Sequence, residues 1–559
     1  MASGQQRTQD TTPDTAVVAT PLKRREVAAS FLFRFPPDDD GGAEKKGQIQ
    51  VALFRRSGEV RTYQHKLAPI SGSVEGDDAD ALATAVRETK EETTLSLGSD
   101  IEVLLKGKPY SFADESIGRE WMIHPFAFRL KPTVEGGKGE TGIVIDWEHE
   151  GWEWHDPLLV EDSEEFGGVP RLLDSLRRVW PAIDLGPEAG STLTAGLRDL
   201  QTDHESGARQ LAAKAVSVLR DVISATHKPS KHDYVGPLDY NNAWWAKIRL
   251  AAWHLWKNGR ESMVAAIVSA LVSVLDLIEQ ATLITGGPPN ERSLRTYQTI
   301  EKYLAQRESA VAEISASFVD FAKDRVLSEG GRPEARLKVL TLSSSSTIAS
   351  CCARAATALD GVVIDLRILE SRPLCEGVTL ASNLLSATGG HEKTTRIDIT
   401  LYSDASAALA SEDVDLVLLG ADRISAAGDV SNKTGSLPAV LSAKHISPGA
   451  RVVILSEVDK IAGPGEASEH VVEENDATEL SRGWRDFGVK GADDVLEVAS
   501  SQDGGRNAGK VKVKNVYFEW VPAHFIDAYV TDEGIWSAEE IRNRSDWVGA
   551  ETDRFFGDL

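Results

Sequence analysis

Three glutamates, Glu88, Glu91 and Glu92, sit at helical spacing in the segment AVRETKEETTL. Positions i, i+3 and i+4 share one face of a helix, so their carboxylates project together. Clustered carboxylate oxygens suit Mg2+ that also binds substrate phosphates. An ion held there activates water and neutralises a diphosphate during displacement. The same window, Ala79–Leu95, sets Leu82, Ala85 and Val86 on another face as a stripe to bury. The plainer reading is a solvated acidic face with Lys90 as an intrahelical partner.

A second constellation lies in VDLVLLGADRISAAGDVSNKTG, Val414–Gly435. An apolar run of this length reads as a buried parallel strand. It turns at Gly420 and delivers Asp422 and Arg423, and Asn432 and Lys433 follow within a dozen residues. In an open parallel sheet, ligands gather beyond the carboxyl ends of the strands. Four other runs, LKVLTL, GVVIDLRI, RIDITLYS and ARVVILS, alternate with helical segments as a doubly wound sheet does. At their carboxyl ends stand Ser343–Ser346, then Glu370, Ser371 and Arg372, then Ser403 and Asp404. Hydroxyls, carboxylates and an arginine are thus expected to converge on one edge. A serine hydroxyl is no useful base without a partner, so Ser343 is read as binding substrate.

The elements that must hold these groups divide the chain. Residues 1–25 are polar and read as a disordered tail. Residues 26–162 give strands at VAASFLFRF, GQIQVALFRR and EWMIHPFAFRL around the acidic helix, an α+β domain. Gly and Pro mark 163–190 as a linker. Residues 191–329 have helical periodicity throughout, and 330–559 form a Rossmann-like parallel-sheet domain. Within the last, Ile461–Lys510 is acidic and then Gly-rich, and is expected to be a partly disordered surface insertion. Trp244, Trp245, Trp253 and Trp256 read as packing residues, and Arg260 in NGRESM could aim a guanidinium at a phosphate.

GSVEGDDADALATAVRETKEETTL resembles a Nudix box, whose core Arg-Glu-x-x-Glu-Glu is matched by Arg87, Glu88, Glu91 and Glu92. The spacing from Gly72 to Arg87 is one residue long, the first glutamate of the box is replaced by Asp77 or Asp78, and Thr94 stands for a glycine. The resemblance implies Mg2+ or Mn2+ on Glu88, Glu91 and Glu92, catalysis by Glu91 and Glu92, and hydrolysis of a nucleoside diphosphate linked to another moiety.

ESRPLCEGVTLA, LGADRISAAGDVSNKTG and VKNVYFEWVPAHFIDAYVTDEGIW resemble the superfamily of methylthioribose-1-phosphate isomerase and ribose-1,5-bisphosphate isomerase. That superfamily also contains the alpha, beta and delta subunits of translation initiation factor 2B. The resemblance covers about Ser191 to Trp547. It implies that Asp422 is the isomerases' acid, that Asn432 and Lys433 bind substrate, and that Arg260 binds phosphate; Ser343, Arg372 and Asp404 are expected to bind substrate from their places at the strand ends. Where the isomerases carry a Thr-His-Cys-like run, this chain reads Thr341-Leu342-Ser343, and Glu376 replaces a glutamine. A metal-dependent hydrolase fused to a domain that binds a phosphorylated sugar or nucleotide is therefore the leading expectation. A non-catalytic regulatory protein related to the initiation-factor subunits comes next, and an aldose–ketose isomerase lacking its thiol last.

The totals limit the alternatives. A chain of 559 residues is too long for one core. A formal charge of −25 argues against a broad nucleic-acid surface while leaving room for a small anion pocket. Three cysteines without paired spacing exclude a disulfide scaffold or thiolate zinc site. No apolar run is read as long enough to span a bilayer, and the N-terminus lacks a signal-peptide core. Expected partners are a phosphorylated small molecule and, by resemblance, a second copy through the C-terminal domain. The expected compartment is the cytoplasm.

Overall fold

The computed structural model describes residues 22–36, 48–203, 206–226, 242–260, 263–284, 289–328, 335–387, 396–465, 475–500 and 511–559. Two compact units, Met1–Ile183 and Asp184–Leu559, are described in turn.

The N-terminal unit is built on β1 (Lys23–Arg34), β2 (Gln50–Arg56), β3 (Leu67–Ala68), β4 (Ile70–Ser73), helix α1 (Ala81–Thr93), β5 (Ile101–Lys106), β6 (Tyr110–Asp114), β7 (Arg119–Leu130), β8 (His149–His155) and α2 (Leu172–Arg177). Eight strands form one mixed sheet in the order β3-β2-β1-β7-β5, with β4 on β1, β6 on β7 and β8 on β2. The two twelve-residue strands, β1 and β7, run parallel side by side. Each is long enough to pair twice on its outer edge. At one end β1 meets β2 and β7 meets β5, and at the other β1 meets β4 and β7 meets β6. The second end is a subsheet, β4-β1-β7-β6, which matters below. Helix α1 starts at Asp80, whose carboxylate accepts the Ala83 amide, and stops at Thr94 in the left-handed region. It packs Ala85 into a core with Ala28, Leu32, Phe54 and Phe128.

Two boundaries differ from the sequence reading. Strand β1 begins at Lys23, inside the expected tail, and residues 1–21 lie outside the described residues. The expected linker is folded into the N-terminal unit as far as Ile183. Leu172, Leu176 and Val179 are buried, Trp180 stacks on Phe33 at 4.8 Å, and Tyr110 bonds Ser175. Aromatic packing outweighs the local Gly and Pro content there.

From α3 (Ala182–Leu185) the chain continues through α4 (Pro187–Thr202), α5 (Ala208–Ala225), α6 (Asn242–Lys257), α7 (Val264–Ile278) and the 40-residue α8 (Pro289–Ser328). One expectation needs correction: Val264–Thr282 is 19 residues with a mean hydropathy of 1.8, long and apolar enough to span a membrane by length and composition. Most of it is buried inside the unit, and α7 contacts α5, α6, α8 and the C-terminal helix. The all-round apolar character follows from that central position.

The sheet of the C-terminal unit then alternates β9 (Ala335–Leu342), α9 (Ser346–Ala358), β10 (Val362–Leu369), α10 (Glu376–Ala387), β11 (Ile397–Tyr402), α11 (Ala407–Ala410) and β12 (Leu416–Leu419). After β13 (Arg423–Ile424) and β14 (Val430–Lys433) come α12 (Ser436–Ile446), β15 (Arg451–Leu455), α13 (Ala477–Asp486), α14 (Ala492–Ser500), β16 (Phe518–Val521), β17 (Ala528–Thr531), β18 (Gly534–Trp536) and α15 (Ala538–Phe556). The main sheet, β11-β10-β9-β12-β15-β17-β18, is parallel apart from its last strand, with one apolar cluster on each face. A small antiparallel sheet, β13-β14-β16, stands beyond its carboxyl edge. The helical layer is part of this unit. Asp459 accepts Tyr303 and pairs with Arg307, both from α8, and with Arg544 from α15. The insertion differs from expectation in part: residues 466–474 and 501–510 lie outside the described residues, but α13 and α14 between them are helical.

Candidate functional sites

In the N-terminal unit the acidic helix is placed by a glycine. A Cβ on Gly72 of β4 would fall 1.9 Å from Glu88 Oε1, so with any larger residue there the carboxylate would have to leave its present place. Arg87 is held by Asp78 at 2.9 Å, by Glu88 at 2.7 Å and by Glu91 at 3.3 Å. Of the two aspartates considered for the missing glutamate, Asp78 is the one that receives Arg87. That bond holds the Asp78 carboxyl well below the usual range, with help from Thr84.

The expected metal trio is not gathered. Among the described residues no three His, Cys, Asp or Glu side chains are grouped to hold a metal ion. The reason is Arg87, which occupies Glu88 and Glu91, while the Glu91 side chain is 59% exposed. Glu92 instead turns inward, 3% exposed, to His149 Nε2 on β8 at 2.5 Å. Its Oε1 is buried with no partner. Burial, then the neighbouring Glu148, Glu88 and Asp146, push the Glu92 pKa up to about 9. Burial lowers that of His149, so both members of the pair favour their neutral forms. Burial also raises Glu88. An orphaned carboxylate oxygen among mutually repelling acids is the donor chemistry a hard divalent cation takes. Glu92, with that orphaned oxygen, therefore has the donor chemistry Mg2+ or Mn2+ takes, whereas Glu88 and Glu91 are held by Arg87.

Sequence reasoning missed the cleft beside this helix, about 220 Å³ in volume. Its floor is the β4-β1-β7-β6 subsheet, read in rows across the register. Arg25, Trp121 and Phe112 are cross-strand neighbours in one row, and Val27, Ile123 and Tyr110 in the next. Arg56, Arg61 and Tyr63 form one lip, Pro170, Leu172 and Ser175 the other. The backbone of Gly72 lines the cleft, so this residue is the wall between cleft and acidic helix. Arg56 links the two regions, because Glu92 and Glu148 offset the burial that lowers its pKa. Arg25 donates to Ser73 Oγ at 3.2 Å and Arg56 to the Thr62 carbonyl at 3.1 Å. Among the described residues Arg25, Arg56, Arg61 and Arg119 make no ion pair, in a chain of net charge −25. Sequence patterning gives no hint of this, since the groups come from separate strands and meet only through register.

In the C-terminal unit the strand ends do bring groups together. Ser343 Oγ donates to Glu376 Oε2 at 2.9 Å, and Lys433 meets the other oxygen of Glu376 at 3.2 Å. Asp404 accepts the amides of Ser371 and Arg372, both at 2.8 Å, and Ser371 Oγ accepts the Ser343 amide at 2.7 Å. Ser343, Ser371 and Cys375 all have left-handed backbone, with φ of 66°, 61° and 54°. Asn432 donates to Ser436 Oγ at 2.9 Å. Asp422 lies beneath them, its amide bonded to the Ser431 carbonyl. Burial raises its pKa, while Lys460 and Lys433 act the other way. Arg372 and Lys433 line a small recess with Ser371, Glu376 and Tyr517. Helix α13 borders it: Glu479 accepts the Tyr517 hydroxyl, and Arg372 lies 5.6 Å from the Phe487 ring. Arg260 stands apart in its bonding, donating to the Asp203 carbonyl at 2.9 Å in the helical layer. Cys351 and Cys352 are buried, the first pushed up to about 12, so neither supplies a thiolate.

The Initiation factor 2 subunit family matches the chain over residues 204–538, and the NUDIX domain over residues 43–173. Methylthioribose-1-phosphate isomerase of Stutzerimonas stutzeri (strain A1501) is 27% identical over 303 residues, 52% of this chain and 75% of that protein. The isomerase of Pseudomonas aeruginosa (strain UCBPP-PA14) is 32% identical over 180 residues, 32% of this chain and 42% of its own length. Among solved structures, translation initiation factor eIF-2B from Pyrococcus horikoshii OT3 aligns at 18% identity over 61% of this chain and 96% of that one, with a TM-score of 0.40. The 5-methylthioribose 1-phosphate isomerase from the same organism aligns at 18% identity over 66% and 88%, with a TM-score of 0.42.

Proposed function

Since the chain belongs to the Initiation factor 2 subunit family and carries a NUDIX domain ahead of that region, we propose that it is a two-part protein. The N-terminal unit hydrolyses a nucleoside diphosphate-linked compound, and the C-terminal unit binds a phosphorylated sugar or nucleotide. The observation that carries the first half is the unpaired arginine cleft separated from a buried acid cluster by one glycine. In the reaction a water oxygen bonds to one phosphorus and gives up a proton to solvent, the bridging P–O bond breaks, and the leaving phosphate takes up the electron pair. Arg25 and Arg56 offset the charge of the diphosphate. The Trp121 and Phe112 row takes a planar base. Glu92 would be a ligand of a divalent cation, which would supply the Lewis acidity that activates water and screens the diphosphate. His149 keeps Glu92 turned toward the interior.

The C-terminal unit has Ser343 where the isomerases carry a thiol, and its buried cysteines offer no replacement. That supports binding, for sensing or regulation, over thiol-dependent isomerisation. The test of the hydrolase reading is Glu92→Gln in the full chain. Mg2+-dependent release of a nucleoside monophosphate from ADP-ribose or a related compound should fall by about 100-fold or more. Unchanged turnover in that variant removes the reading.

A further inference from the structure

The cleft holds more positive charge than a scissile diphosphate requires, and the excess is placed at a distance. Arg25 and Arg56 lie near the Gly72 wall, through Ser73 and through the acids respectively. Arg119 is at the opposite end. It is the first residue of β7 and pairs in register with Lys23, whereas Gly72 pairs with Ala28. Five residue steps along β1 separate those two partners, about 16 Å. The row of Arg25, Trp121 and Phe112 falls between them.

Arg119 lines the cleft, and its Nη1 is buried without a hydrogen-bond partner. The acid across the hairpin from it, Asp114, is already engaged by Tyr63 at 2.8 Å and by the Ser116 amide at 3.0 Å. The other neighbour in that row, Lys23, is a cation. A buried guanidinium N–H left unsatisfied beside a second cation is costly unless a ligand completes it. The group best suited to do so is an anion with several acceptor oxygens, on the far side of an aromatic slot from the acidic helix.

We propose that the cleft selects a nucleoside diphosphate-linked compound bearing an additional phosphate, and that Arg119 with Lys23 binds that phosphate. The assignment rests on the hydrolase reading of the same cleft, yet it concerns binding and can be measured without turnover. A diphosphate compound lacking the extra group leaves Arg119 unsatisfied, and sites built for a charged partner discriminate strongly against analogues without it.

The experiment uses the full chain in EDTA, where no divalent ion supports turnover, and titrates two pairs that differ by one phosphate. These are NADPH against NADH and coenzyme A against dephospho-coenzyme A. In at least one pair the phosphorylated member should bind about 10-fold tighter or more. Arg119→Ala should bring the two members of that pair within about 2-fold, and Arg119→Lys should keep part of the preference. Because the wild-type comparison needs no variant, a folding defect cannot hide the answer. Equal affinity within both pairs overturns the assignment, as does a preference that survives Arg119→Ala. A preference without any hydrolysis once Mg2+ is restored sinks the hydrolase reading and leaves the phosphate assignment standing. Hydrolysis without preference does the reverse.

Discussion

The N-terminal cleft is lined by four arginines with no ion pair among the described residues, whereas in the C-terminal recess Lys433 is already matched by Glu376 at 3.2 Å. The same Glu376 also takes the hydrogen of Ser343. One site leaves its charge for a ligand to complete; the other carries its counter-charge on its own chain. Net composition hides this difference, because a total of −25 says nothing about where cations are left uncompensated. Where two pockets of one protein both invite an anion, the internal partner of each cation is the better guide.

The sharpest way to break the comparison is at the wall of the cleft. Gly72→Val puts side-chain atoms where Glu88 lies, so the Glu88 carboxylate must swing away from β4 and from Arg87. Hydrolysis should fall by about 100-fold, and overpacking should cost about 1–3 kcal/mol in thermal or denaturant unfolding. Near-normal kcat/KM in a folded Gly72→Val protein would show that the acids and the cleft do not form one site. A smaller effect is expected at Glu376→Gln, which frees Lys433. Ribose 5-phosphate, titrated calorimetrically, should bind about 10-fold tighter, or about 1.4 kcal/mol. An unchanged affinity would mean that Glu376 does not hold back anion binding there.

The smallest effect concerns Asp422 and pH. Its folded pKa lies above the unfolded value, so the folded state keeps the proton longer as pH rises. Its contribution to stability is fully present below the unfolded pKa of about 3.9 and declines above it until the folded pKa is passed. Unfolding midpoints of the wild type relative to Asp422→Asn should therefore fall across that window, by at most about 1.4 kcal/mol per pH unit. A wild-type advantage that grows with pH would place Asp422 in a different environment.

Some of this was open to reading from the residues alone. The i, i+3, i+4 glutamates announce a helix with an acidic face, and the runs Leu337–Leu342 and Leu416–Leu419 announce buried strands. The i, i+4 spacing of Arg87 and Glu91 offers their pairing, but nothing local shows that Asp78, nine residues earlier, also takes Arg87. Nor could local spacing assemble the cleft. Arg25, Phe112 and Trp121 are distant in sequence and become one row only when β1, β6 and β7 align. Residues 163–183 read as a linker because Trp180 has no partner until Phe33 is folded beneath it. The wrong impression of α7 has the converse origin: its apolar residues are broken by serines and an aspartate, yet the helix as a whole is apolar enough to pass for a span.

The left-handed backbone at Ser343, Ser371 and Cys375 has a consequence for how this chain can drift. Glycine at any of the three would relieve on the order of 1 kcal/mol or more. A sequence wandering under thermostability alone would therefore slide to glycine there. That a hydroxyl, a second hydroxyl and a thiol stand at these places means each side chain must outweigh a permanent downhill exit.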